Sequence, residues 1–159
     1  MVRSDSRFMQ VGTLRVRYSE TDKMGIVFNA NYLSWFEVAR TELCRIFGKP
    51  YNWWEAQGFF LPVVESYCRY KSPCGYDDII SLFCMAPIEQ IKPHSILFEY
   101  RIVRDPCRLV AEGWTKHAFV NAESKLYRRD NDFQRWLTEE AAKYYAARQD
   151  PVSPSSSQS

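Results

Sequence analysis

The sequence predicts an α+β domain in which a curved antiparallel sheet wraps one long helix. Three observations carry that expectation. A short alternating segment comes first, a single well-delimited helical period follows it, and four extended stretches come next with no second long helix between them. The 159 residues, 46% apolar and 25% charged, suit one globular domain over residues 1–148, and they exclude collagen, coiled coil and wholesale disorder.

In residues 13–18, Leu14, Val16 and Tyr18 alternate with Arg15 and Arg17, the period of two of a strand with one wet face. Residues 19–28 break that period and carry Gly25, which takes positive φ without cost, so a turn is expected there. From about Asn31 the pattern becomes helical: Tyr32, Phe36, Ala39, Leu43 and Ile46 recur at steps of three and four, Gly48 falls at the left-handed cap position, and Pro50 lies just beyond. The spacing predicts a helix of about 16 residues, roughly 24 Å long. Leu33, Trp35, Val38 and Phe47 lie off the main stripe, so more than one helix face should be covered.

Residues 53–57 suggest one helical turn stopped by Gly58. Four strands are then expected, at 61–71, 79–89, 95–104 and 109–121, with Asp105 and Pro106 as a hairpin turn between the last two. Trp136, Leu137, Ala141, Tyr144 and Tyr145 give a C-terminal helix over 133–148, and the Pro/Ser-rich tail 149–159 is expected to be disordered. A five-stranded open sheet leaves edges to cover, which points to a homodimer or homotetramer.

Twenty-one Lys and Arg against nineteen Asp and Glu leave a net charge of +2, too small and too evenly spread for a nucleic-acid partner. The longest nearly pure apolar run, 59–64, is far short of a membrane span, and the polar first ten residues lack a signal-peptide core, so a cytoplasmic location is expected. The five cysteines form no C-x-x-C pair or zinc spacing and read as reduced, mostly buried thiols, with no metal site. Five Trp, ten Tyr and ten Phe can line an apolar pocket or a large interface.

Residues 17–32 place a carboxylate, Asp22, a glycine turn and a helix start within ten residues. A helix N-terminus offers free N–H groups that can hold an oxyanion, and a carboxylate beside it can attack or activate water. The same residues also suit plain structure, with Asp22 closing an Asx-turn and Asn29 or Asn31 capping the helix.

The string Arg17-Tyr18-x-Glu20-Thr21-Asp22-x-Met24-Gly25-x-Val27-x-x-Ala30-Asn31-Tyr32-Leu33-x-Trp35-Phe36-Glu37-x-x-Arg40 resembles the signature of hot-dog fold thioesterases of the 4-hydroxybenzoyl-CoA thioesterase type. Leu61-Pro62-Val63-Val64-Glu65, Arg69-Tyr70-Lys71-x-Pro73 and Tyr76-Asp77-Asp78 continue the likeness in order, over about residues 11–122. The resemblance implies a hot-dog fold and hydrolysis of an acyl- or aroyl-CoA to acid and coenzyme A, with no cofactor beyond the coenzyme A of the substrate. The alternative is a member that binds acyl-CoA or acyl-carrier protein without hydrolysis. A dehydratase fits less well, since its chemistry uses a His base and neither His94 nor His117 lies in the string.

By the same resemblance Asp22 is the catalytic aspartate, as nucleophile or as base toward water, the Gly25 turn presents it, and the backbone N–H of Asn29 polarises the thioester carbonyl. Many relatives carry His where this chain has Asn29. Phe28, Tyr32 and Trp35 are candidate substrate-binding residues. Trp53, Trp54, Phe59 and Phe60 are read either as acyl-pocket walls or as core. Lys92, His94 and Ser95 align with a basic stretch that meets the coenzyme A phosphates in relatives, where charge suits a phosphorylated handle. Glu20 is expected on the strand face of Asp22, either raising the aspartate's pKa or as a solvated strand-end acid. Glu37 is expected on the helix surface or at an interface, and Glu65 in a structural role.

Overall fold

The structure is a computed structural model and describes residues 5–149. Its elements are β1 (Met9–Arg15), α1 (Asn31–Ile46), the short α2 (Tyr51–Ala56), β2 (Val63–Tyr70), β3 (Ile79–Met85), β4 (Ser95–Arg104), β5 (Arg108–Ala118) and α3 (Asp132–Gln149). The strands form one antiparallel sheet in the order β1-β3-β4-β5-β2, which leaves β1 and β2 as edges. Helix α1 lies against β3, β1 and β4. Its buried Phe36 stacks on Tyr100 of β4 with ring centroids 4.3 Å apart, and Ala39, Leu43 and Cys44 continue that contact into a core shared with Ile80, Leu82 and Phe98. This is the expected hot-dog architecture, a sheet folded round one helix.

Helix α1 has the expected bounds, and Gly48 ends it at φ +108°. Covering of more than one face is only partly met: Leu33 and Val38 are 41% and 44% exposed, because the sheet reaches α1 from one side. The first strand starts earlier than the alternation implied and ends before Tyr18, which is 77% exposed on a 3₁₀ turn, Tyr18–Glu20. Val16 explains the early end, since it bonds through N–H and C=O to the turn at Asp77 and Asp78 rather than to a strand. Strand β3 stops at Met85, two residues before Pro87, which has no N–H to continue the ladder. The expected strand 109–121 ends at Ala118.

Gln149 closes α3, and the remaining tail residues lie outside the described residues. Cys44, Cys74 and Cys84 are buried, Cys68 is half-buried and Cys107 exposed, all as free thiols. Among the described residues no helix is long and apolar enough to cross a membrane.

Candidate active site

The loop between β1 and α1 is a small hairpin. Asp22 N–H donates to Ile26 C=O at 2.9 Å, Thr21 pairs with Val27, and Gly25 turns the chain at φ +78°. The loop lies flat on residues 74–75, where Val27 N–H donates to Cys74 C=O at 2.9 Å and Ile26 bridges to Gly75. A Cβ on Gly75 would stand 2.9 Å from Gly25 C=O, so only glycine permits this approach. Within the hairpin, Asp22 Oδ1 accepts Met24 N–H at 2.8 Å. The Asx-turn reading therefore holds for one carboxylate oxygen, while the other has no hydrogen-bond partner among the described residues.

Glu20 is neither of the alternatives expected for it. It is 7% exposed and brackets the loop from beneath: Oε2 accepts Arg17 N–H at 2.8 Å, and Oε1 accepts the Trp35 indole and the Arg17 guanidinium, both at 3.2 Å. Burial pushes its carboxyl pKa up, but the hydrogen bonds from Arg17 and Trp35 outweigh that and hold it below the ordinary value. The Glu20 carbonyl accepts Phe28 N–H at 2.8 Å and the Asn31 side-chain amide at 2.9 Å. One residue thus ties both ends of the loop to α1.

The helix begins without a side-chain cap, its N-cap being Ala30. Asn29 and Asn31 do not serve as caps, contrary to the structural alternative, and Asn31 is engaged with Glu20 instead. Asn31 N–H donates to Phe28 C=O at 3.0 Å, whereas the N–H groups of Asn29 and Ala30 have no acceptor among the described residues. Such orphan amides at a helix N-terminus carry its positive partial charge.

Asp22 and Asn29 line one open cleft of about 450 Å³, with Phe28, Tyr32, Tyr70 and Lys71. Phe28 stands at its rim, 53% exposed, and Tyr32 forms its buried floor with its hydroxyl 3.4 Å from Cys74 Sγ. Lys71 is ion-paired with Glu112 at 3.2 Å. Trp35 is not on the cleft. It is buried behind Tyr32, at 5.0 Å between ring centroids, with its N–H spent on Glu20.

Trp54 and Phe59 are also removed from the site, because α3 and the segment leading into it pack over them: Trp54 stacks on Phe133 of α3 at 4.6 Å and Phe59 on Tyr127 at 5.0 Å. Trp53 packs edge-on against Trp54, and Phe60 bridges to Val120. Lys92, His94 and Ser95 lie at the other end of the sheet. Ser95 pairs with Ala118 of β5 and Tyr70 with Ala111, so about seven residues of extended strand, roughly 23 Å, separate the two groups within one chain.

Tyr70 and Lys71 are cleft residues that pattern reading did not single out. Their signal was the Arg69-Tyr70-Lys71-x-Pro73 string, which gave order but not facing. Glu37 is exposed and lines a separate cavity of about 160 Å³ along the middle of α1, with Arg40, Cys44, Tyr51, Leu61 and Phe98. Glu65 is exposed and pairs with Lys116 at 3.7 Å. His117 is fully buried, donating from Nδ1 to Leu61 C=O at 2.9 Å and accepting Thr115 Oγ1–H at 2.7 Å; burial pushes it down to about 4, so it is a neutral core residue.

The sheet order and the helix seated on it define a hot-dog domain with an acid and free amides gathered at the helix start. A family model, the thioesterase-like superfamily, matches residues 16–143, and the chain belongs to that family. It is similar to the putative acyl-CoA thioesterase YneP of Bacillus subtilis (strain 168), 36% identical over 111 residues, covering 70% of this chain and 79% of that protein. It is also similar to the acyl-CoA thioester hydrolase YbgC of Escherichia coli O157:H7, 29% identical over 100 residues, covering 63% and 73%. Among solved structures, the DHNA-CoA thioesterase from Staphylococcus aureus superposes with a TM-score of 0.74 at 29% identity, over 86% of this chain and 89% of that one.

Proposed function

We propose that this protein hydrolyses the thioester of an acyl- or aroyl-CoA to free acid and coenzyme A in the cleft of Asp22 and Asn29. The observation that carries the reading is that a carboxylate with one uncommitted oxygen and an unpartnered helix-start N–H line the same cleft. The thioester oxygen accepts the Asn29 N–H, which polarises the carbonyl and steadies the negative charge that develops there. The free Asp22 oxygen then acts in one of two ways. It attacks the carbonyl carbon, expelling the thiolate and leaving a mixed anhydride that water cleaves; or it takes a proton from a water that attacks instead. Neither route calls for a metal or redox cofactor.

The reading includes a homodimer built through β2. That edge strand exposes Val63, Val64, Tyr67 and Tyr70. Antiparallel pairing with the same strand of a second copy sets the Val63 end of one beside the Tyr70 end of the other. Lys92 of the partner subunit, with the partner's His94 and the partner's Ser95, then stands about three strand spacings, roughly 15 Å, across from the cleft, within reach of the coenzyme A phosphates. We place the protein in the cytoplasm, where its free thiols stay reduced.

Asn29, where relatives often carry His, favours a second reading as a non-hydrolytic acyl-CoA binder. Incubation with a panel of acyl- and aroyl-CoAs while free thiol is followed separates the two. Hydrolysis releases thiol catalytically, whereas a binder retains the thioester intact.

A further inference from the structure

Asn29 sits between two anchored peptide planes. The Phe28–Asn29 plane is set by Asn31 N–H, which donates to Phe28 C=O at 3.0 Å. A trans peptide points its N–H opposite to its C=O, so this bond turns the Asn29 N–H away from the helix. The Asn29–Ala30 plane is held from the sheet: the Tyr70 hydroxyl on β2 donates to Asn29 C=O at 3.2 Å. Tyr32 N–H reaches the same carbonyl at only 3.4 Å. Among the described residues, no other side chain hydrogen-bonds to the backbone of residues 28–30.

The Tyr70 ring is itself braced. It packs edge-on against Tyr32 with centroids 5.2 Å apart, Tyr32 packs on Trp35, and the Trp35 indole is bonded to Glu20. The cleft thus has a continuous brace from the edge strand, through the floor of the site, to the residue that ties down the Asp22 loop.

We propose that Tyr70 is a positioning residue for thioester hydrolysis, its hydroxyl holding the Asn29–Ala30 plane that adjoins the one bearing the Asn29 N–H, so that Asn29 is anchored on both sides and the N–H set by Asn31 keeps its aim when the oxyanion forms; this rests on the Asp22–Asn29 reading above. An oxyanion donor is worth most when it needs no reorganisation at the moment of reaction, and small misplacements are costly. Tyr70 therefore acts through Asn29 and contributes in the transition state rather than in substrate binding.

The test is Tyr70→Phe, with Tyr144→Phe as control, since the Tyr144 hydroxyl on α3 likewise donates to a backbone carbonyl, that of Ile46 at 2.9 Å, away from the cleft. Activity is expressed per folded site, with folding read by circular dichroism. On the best acyl-CoA, Tyr70→Phe should lower kcat about tenfold with KM within about twofold, while Tyr144→Phe matches the parent. A trifluoromethyl ketone analogue of the acyl-CoA, which presents a tetrahedral oxygen anion, should bind Tyr70→Phe about tenfold more weakly, and an S-alkyl-CoA thioether should bind as before.

Unchanged kcat in an active enzyme overturns the assignment of Tyr70 and leaves the Asp22 reading standing. Equal loss of affinity for both analogues makes Tyr70 an ordinary binding residue and overturns it too. A variant that does not fold at all makes Tyr70 a fold residue and likewise overturns its positioning role. A parent that releases no thiol from any acyl-CoA overturns the Asp22–Asn29 reading and this proposal together.

Discussion

At position 29 the backbone and the side chain have separable roles, and substitution can part them. If the N–H is the working group, Asn29→Ala keeps it and should change turnover less than about tenfold, because loss of a true oxyanion donor costs about a hundredfold or more. Asn29→Pro removes that N–H at a place near a helix start where proline is sterically tolerated, so it should show the larger loss. Circular dichroism checks that both variants fold; equal damage from Ala and Pro would bring the side chain into the chemistry. The turn role of Asp22 was legible, because one oxygen closes the Asx-turn, while its catalytic role remains a proposal that the free oxygen in the cleft supports. Trp35 was not legible, since an aromatic residue on a helix reads the same whether it walls a pocket or fills the core behind one. Glu20 was misplaced for a different reason: its face was extrapolated from an alternation that ends at the 3₁₀ turn.

Among the elements, the loop from Tyr18 to α1 depends most on one buried carboxylate. The native pKa of Glu20 is depressed, so its ionised form stabilises the fold above its unfolded value of about 4.3, and that contribution is lost as pH falls through the native pKa. Glu20→Gln keeps the shape but sets an amide against Arg17 N–H. It should cost about 1–3 kcal/mol at neutral pH, read as a lower urea midpoint, with the gap to the parent shrinking below about pH 4. A gap independent of pH would assign Glu20 a role in packing rather than in charge. Helix α1, expected from about Asn31 over about 16 residues, was legible because its period, Gly48 and Pro50 are all local signals. The end of β1 was not, because Val16 finds its partners at Asp77 and Asp78, some sixty residues on. The aromatic cluster of α2 was likewise claimed by α3, a contact that no local pattern announces.

For the whole molecule, the proposed chemistry needs a second copy. Strand β2 is an open edge with four exposed large apolar side chains, and α1 leaves Leu33 and Val38 uncovered. The protein should sediment as a dimer or tetramer, and dilution to monomers should abolish activity, because in the proposed dimer β2 lies at the interface and the partner subunit supplies the phosphate-binding end. A fully active monomer at nanomolar concentration contradicts this. The distance between Lys92 and Asp22 within one chain was the feature least accessible to sequence, since spacing along a chain does not tell which residues meet across a two-fold axis. The central claim, that Asp22 drives thioester hydrolysis, is tested most directly by kcat of Asp22→Asn on the best acyl-CoA. Asparagine is nearly isosteric but can neither attack nor take a proton, so the folded variant should lose about two to four orders of magnitude. Turnover equal to the parent would remove Asp22 from the mechanism.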